Sequence, residues 1–265
     1  MPLGRSKILL NPAVTAVMFS LGLLLGFVGV GGAGFIAALL ILLFHFPVHL
    51  SFGIALGAMF AGSALGGWSH LREGNVEPVI GTEIGLMGVL GAYLGSGLAL
   101  ATGAMELKTL AGLTLVANAG VVYLRTRVAM AEKDGGKRLP SRRGWLRELL
   151  SSAGIGLGCG FGSGFLSIGT APWIQVGLLV FKGTDLRRTI GTAMFSLSFM
   201  SLTGAIRFAQ GGQVDLWLLV SVVLGLSLGT FLGAKFTKRA PRRLVRSAMV
   251  LTPMTAGLLL LVSPV

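Results

Sequence analysis

The sequence predicts an all-α polytopic membrane protein, and three observations carry that expectation. Of 265 residues, 53% are apolar and only 12% are charged, about half the charged share of a soluble domain. The mean hydropathy is +0.83. The apolar stretches are long and do not alternate with polar residues, which favours membrane helices over a barrel. A cytosolic enzyme, a nucleic-acid-binding domain and a disordered chain are excluded on the same grounds. The net charge of +13 is then read as basic loops facing the cytoplasm, not as a nucleic-acid footprint.

Glycine supplies the third observation. The chain has 42, more than twice the ordinary share, with no collagen-like period. In an apolar chain this means closely packed or broken membrane helices. The basic start, MPLGRSKILL, precedes an apolar run with no small-x-small cleavage site, so the first segment is read as retained. The single Cys159 allows no intramolecular disulfide and sits in an apolar run as a packing residue.

Turn and charge signals divide the chain in order. An apolar run from Pro12 to Val30 leads into the glycine cluster Gly29-Val30-Gly31-Gly32-Ala33-Gly34. A short stretch to Phe46 ends at Pro47, and Ser51–His70 follows. After the polar loop Leu71–Glu77 come Val79–Ala101 and Leu107–Leu124. The stretch Arg125–Glu148 differs in kind: it holds eight basic residues and reads as a linker. The second half runs from Leu149 to Ile168, breaks at Gly169–Pro172, and continues as Trp173–Phe181, Thr189–Arg207, Leu216–Ala234 and Leu244–Val262. The expected domains are therefore a first repeat, 1–124, the linker, 125–148, and a second repeat, 149–265.

The repeat emerges at a constant offset of 138 residues. Between Ser20 and Gly97, 18 of 78 positions then coincide without a gap, among them Gly22/Gly160, Gly31/Gly169, Gly53/Gly191, Gly66/Gly204 and Gly74/Gly212. GNVE at Gly74–Glu77 recurs as GQVD at Gly212–Asp215, and GAYLGS at Gly91–Ser96 as GTFLGA at Gly229–Ala234. Each half has five segments, and an odd unit inverts the second copy in the membrane. Loop charges agree: Phe44–Leu50 and Gly97–Lys108 together hold one basic residue, their counterparts Lys182–Arg188 and Lys235–Arg246 nine. This places the linker in the cytoplasm and the N-terminus on the periplasmic side, against Arg5 and Lys7.

Each half thus has a helix, a break and a short second helix. A helix that starts inside the membrane offers unpaired N–H groups and the positive end of its dipole, which suits an anion. Glycine lets a ligand reach the backbone. The expected substrate-binding residues are Gly29, Gly31, Gly32 and Gly34 in the first break, and Ser167, Gly169 and Thr170 in the second. Pro172 fits the helix start that follows.

With its duplicated glycine-rich break, Gly-Thr-Ala at Gly191–Ala193 and paired G-x-V-acid loops, the chain resembles the TauE/SafE sulfite-exporter family of bacterial inner-membrane anion transporters, which includes 4-toluene sulfonate uptake permease-like proteins. The likeness covers nearly the whole chain. It departs in having no proline in Phe35–Phe46, and in carrying Thr170 and Pro172 where glycines are common. The resemblance implies export of small sulfur oxyanions or organosulfonates, such as sulfite or sulfoacetate. It also adds Thr192 to the expected substrate contacts.

Other polar residues are weighed against simpler roles. Ser163 in Gly162-Ser163-Gly164 has the look of an intramembrane serine nucleophile, but all three histidines, His45, His49 and His70, precede it. His45 and His49 flank Pro47 with no third ligand nearby, so no metal is expected. Glu83 is either a proton carrier or an interfacial acid at a helix start, and Arg207 an outer-surface anchor. No nucleotide-binding motif and no cofactor site is present. The expected partners are a small anionic substrate and the lipid bilayer, with no nucleic acid, and a homodimer is allowed. The reading is a secondary exporter and not an enzyme. Its alternatives are an ion-coupled importer of the same anions and an intramembrane enzyme.

Overall fold

The computed structural model describes residues 12–28, 33–133, 145–184, 186–237 and 242–263. They form ten helices: α1 Pro12–Val28, α2 Ala33–Leu42, α3 Val48–Arg72, α4 Pro78–Ala101, α5 Ala104–Lys133, α6 Trp145–Leu166, α7 Ala171–Gly177, α8 Leu186–Gln210, α9 Leu216–Thr237 and α10 Arg242–Val262. A π-helical turn, Leu178–Lys182, prolongs α7. No strand occurs among the described residues. Six helices are long and apolar enough to cross a membrane; α1, α2, α7 with its π turn, and the apolar part of α10 are shorter. The segments read from hydropathy coincide with these helices to within a few residues; the second break falls at Ser167–Thr170, two residues before the expected Gly169–Pro172, and the first lies outside the described residues. The largest difference is α5, which continues past Leu124 to Lys133 because Arg, Ala, Met, Glu and Lys favour helix after the apolar run ends.

Helix directions follow from which ends meet. Gly53 at the start of α3 packs on Gln213 just past the end of α8, and Gly191 near the start of α8 packs on Asn75 just past the end of α3, so these helices are antiparallel. Along α4 and α6, Gly91 faces Leu157 and Gly95 faces Phe161, so this pair is parallel. α1 and α9 are parallel likewise, with Gly229 against Phe19 and Gly233 against Leu23. α5 and α10 pack through Gly112 and Gly257.

Many contacts recur 138 positions apart. Gly22 lies against the Leu226 carbonyl and Gly160 against the Gly88 carbonyl. Gly66 meets Met194, and Gly204 meets Leu56. The helix stops after α3 and α8 are built alike. Gly74 and Gly212 both have φ +70°, a left-handed conformation natural only to glycine. Asn75 N–H then returns to the His70 carbonyl and Gln213 N–H to the Phe208 carbonyl. Ser63 and Ser201, themselves 138 apart, touch each other through their hydroxyls at 3.4 Å.

Polar contacts fix the two ends of the bundle. At the end where α6 begins, Lys182 donates to the Glu148 carbonyl and Arg188 pairs with Glu77. At the other end, His49 Nε2 lies 3.1 Å from the carbonyls of Ala99 and Thr102, and Lys108 donates to the Ser263 carbonyl. Leucine, tyrosine and tryptophan side chains such as Leu65, Leu94, Tyr93, Trp217 and Leu228 are exposed around the outside, as a lipid-facing surface requires.

Candidate functional site

The second break is a four-residue interruption between α6 and α7. Helix α6 ends at Leu166, and Ser167 turns left-handed with φ +51°. For a residue with a Cβ this costs about 1–2 kcal/mol. Thr170 caps α7 with its carbonyl, which accepts from Trp173 and Ile174 N–H. Its side chain makes no capping bond. Pro172 follows in the first turn, where its missing N–H costs nothing.

The polar side chains around this break are buried and left without partners. Ser163 Oγ, Ser167 Oγ, Thr170 Oγ1 and Gln175 Oε1 are inaccessible to solvent and bond nothing among the described residues. Asn118 Oδ1 on α5 is in the same condition. Ser163 and Ser167 are one turn apart, and a methyl placed on Gly162 would stand 3.7 Å from Thr170 Cγ2. Gln175 lies on the buried face of α7. An unsatisfied buried polar group costs about 1–3 kcal/mol. Four such groups are gathered beside the strained Ser167.

The start of α2 reaches the same place. A Cβ on Gly34, at the start of α2, would lie 2.6 Å from Leu115 Cδ2 of α5 and 3.5 Å from Ile168 Cγ1 of the second break. Asn118 is one turn beyond Leu115. Gly34 is thus brought against α5 and beside the second break, which holds Ser167, Gly169 and Thr170. Gly29, Gly31 and Gly32 lie outside the described residues.

Thr192 is elsewhere. Its Oγ1 accepts the Glu77 N–H at 2.9 Å, beside the first turn of α4. The second break adjoins Gly95 through Phe165, near the last turns of α4, roughly 27 Å along that helix at 1.5 Å per residue. The Thr192 hydroxyl secures a helix start and does not face the break.

The other polar residues lie in local contacts, and His70 Nδ1, Arg207 Nε and Ser51 Oγ are likewise buried without a hydrogen-bond partner among the described residues. Glu83 Oε2 accepts from Ser152 Oγ at 2.8 Å, tying α4 to α6. Arg207 lies over the Tyr93 ring, 5.2 Å from its centre, a cation–π anchor on the outer face. His49 is taken up by the Ala99 and Thr102 carbonyls, and His70 lies 3.9 Å from Glu73. Ser163 has no histidine partner among the described residues. Reading the sequence singled out neither Asn118 nor Gln175, and weighed Ser163 only as a nucleophile. The available signal was one amide in each of two apolar runs.

The arrangement offers hydroxyls and amides, backbone N–H groups and no carboxylate at the break, a set suited to a small oxyanion. The family model described as "Sulfite exporter TauE/SafE" matches residues 14–260. The "Probable membrane transporter protein YdhB" of Bacillus subtilis is 37% identical over 248 residues, covering 94% of this chain and 99% of its own. A "Probable membrane transporter protein" of Xylella fastidiosa strain 9a5c is 28% identical over 229 residues, covering 83% of this chain and 82% of its own. No solved structure matches. On the span of the family match and the identity to the Bacillus protein, this multi-pass membrane transporter belongs to the TauE/SafE sulfite exporter family.

Proposed function

We propose that this transporter exports small sulfur-containing or organic anions, sulfite or sulfoacetate-like organosulfonates, across the bacterial inner membrane, binding them at the two helix breaks. The observation that carries the reading is the group of unpartnered, buried Ser163, Ser167, Thr170 and Gln175 around a strained turn against Gly34. Hydroxyl and amide donors supply hydrogen bonds to an oxyanion, and the backbone adds those of the helix starts. A monoanion leaving an inside-negative cell gains about 2.3 kcal/mol per 100 mV, so export needs no coupled ion.

The architecture belongs to the same proposal. We read two inverted repeats, 1–124 and 149–265, joined by a cytoplasmic linker, with the N-terminus periplasmic. Reciprocal contacts at an offset of 138, including Ser63 against Ser201, support a two-fold relation. The antiparallel α3 and α8 support an axis across the helices, which is the inverted case. A cysteine at Ala131 should then be blocked only by reagents that enter the cytoplasm, and one at Gly103 from outside.

Flux in proteoliposomes tests the function. Sulfite, sulfoacetate, thiosulfate and small carboxylates are offered in turn. Uniport of one sulfur anion, driven by membrane potential alone, is the expected result. Flux that collapses with a proton or sodium gradient would make the protein an ion-coupled importer. Absence of flux for the whole panel would remove the export reading.

A further inference from the structure

Lys108 is a buried cation that the break does not use. It lies on α5 and is only 3% exposed. Its ammonium donates to the Ser263 carbonyl near the end of α10. No carboxylate lies within 4 Å of it among the described residues, and two of its three N–H donors have no protein acceptor there. The buried stripe of α5 carries Lys108, Ala111, Leu115, Asn118 and Val122. Lys108 therefore shares a face with Leu115, which abuts Gly34, and with the unpartnered Asn118.

Depth sharpens the point. Seven residues separate Lys108 from Leu115, about 10 Å at 1.5 Å per residue. With Leu115 at the midplane, Lys108 lies inside the hydrocarbon layer, whose half-thickness is about 15 Å. A cation at that depth with no counter-charge is costly and faces a substrate path by default. A carbonyl acceptor alone does not call for a charge, since a neutral donor makes the same bond. The repeat keeps the charge too: 138 positions on, Arg246 stands on α10 seven residues before Pro253, the counterpart of Leu115.

We propose that Lys108 is a second anion-binding step, a relay that receives a small oxyanion from the break on the side where α5 begins. This rests on the export reading, which puts that side outside the cell. An anion moving outward from neutral donors at the break then meets a counter-charge while still inside the hydrocarbon layer.

The test uses the full chain in proteoliposomes with radiolabelled sulfite, and sulfoacetate as the second anion. Binding at the break is read separately, as the sulfite-dependent rise in melting temperature. Lys108→Gln should lower the maximal rate at least tenfold while sulfite-dependent stabilisation changes less than threefold in midpoint concentration. Lys108→Arg should restore the rate to within threefold of the parent. If Lys108 only locks α5 to α10, Lys108→Gln and Lys108→Met lower the melting temperature without anion while flux per folded protein stays normal, and the relay is overturned. Parent protein that moves neither anion overturns the export reading and the relay together. Parent flux with an unaffected Lys108→Gln overturns the relay alone.

Discussion

Glycine serves two opposite purposes in this molecule. In the seams between α4 and α6 and between α1 and α9, Gly91, Gly95, Gly160, Gly164, Gly229 and Gly233 place one backbone directly on another. These helix pairs run parallel, with no room for a Cβ at these glycines. Beside Gly34 the chain instead breaks at Ser167–Thr170, and polar side chains there have no hydrogen-bond partner among the described residues. Small residues bring helices together in the seams, whereas beside the break buried hydroxyls and amides are left without hydrogen-bond partners among the described residues. Substitution should therefore cost folding in one region and transport in the other.

The largest effect is expected in a seam. A Cβ on Gly160 would fall on the backbone of Gly88, which cannot turn aside. Gly160→Val should abolish detergent-stable protein, since overpacking costs about 1–3 kcal/mol even where side chains can shift. Gly158, two residues earlier, has open space around it, and Gly158→Val should keep stability within about 0.5 kcal/mol. Yield and melting temperature of the pair check this. Equal losses would mean that the α4–α6 contact is not the scaffold described here.

Next comes the break. Gly169 is buried but does not have a left-handed φ, so valine is conformationally admissible there. Gly169→Val should insert and fold, yet carry no sulfite. Folded variants with normal flux would take the break out of the transport path.

The hydroxyls allow stability and affinity to be driven apart. Thr170 Oγ1 bonds nothing among the described residues, so Thr170→Val removes no bond seen there. It should leave the melting temperature unchanged or raised, while weakening sulfite by about 1.5–3 kcal/mol, the worth of a hydrogen bond to a charged group, or roughly tenfold to more than a hundredfold. Ser167→Gly removes a hydroxyl and a left-handed Cβ together. Stability should rise by about 1 kcal/mol as affinity falls. Variants that lose stability and keep affinity would make both residues structural.

Legibility in the sequence divides along the same line. The helices, their order and the second break could be read because hydropathy and glycine spacing are local signals. The 138-residue offset was legible too, and it reappears in contacts such as Gly66 with Met194 and Gly204 with Leu56. What could not be read is direction around each helix. These helices are apolar on all sides, so no periodicity marks an inward face for Asn118 or Gln175, and either could have faced lipid. The π turn at Leu178–Lys182 has no composition signal either. Nor does sequence give the acceptor of a hydroxyl whose partner is 115 residues away, as for Thr192 and Glu77.

That residue supplies the smallest and most discriminating effect. Thr192 lies in the Gly-Thr-Ala stretch through which the chain resembles its family, which made it an expected substrate contact. Its Oγ1 instead accepts the Glu77 N–H at the start of α4, and its carbonyl accepts from Ser196 Oγ. Thr192→Val keeps the shape, including the methyl beside Gly81, and deletes only the oxygen. The Glu77 N–H is part-buried, so losing its acceptor should cost about 0.5–1.5 kcal/mol, seen as a modest fall in melting temperature. Sulfite affinity should stay within about twofold, because the hydroxyl is roughly 27 Å along α4 from the break. The comparison with Thr170→Val is then direct. One threonine should change stability and not affinity, the other affinity and not stability. A tenfold loss of affinity in Thr192→Val at unchanged melting temperature would return that hydroxyl to the substrate path, and would move the site from the central break toward the end of the bundle where α8 begins.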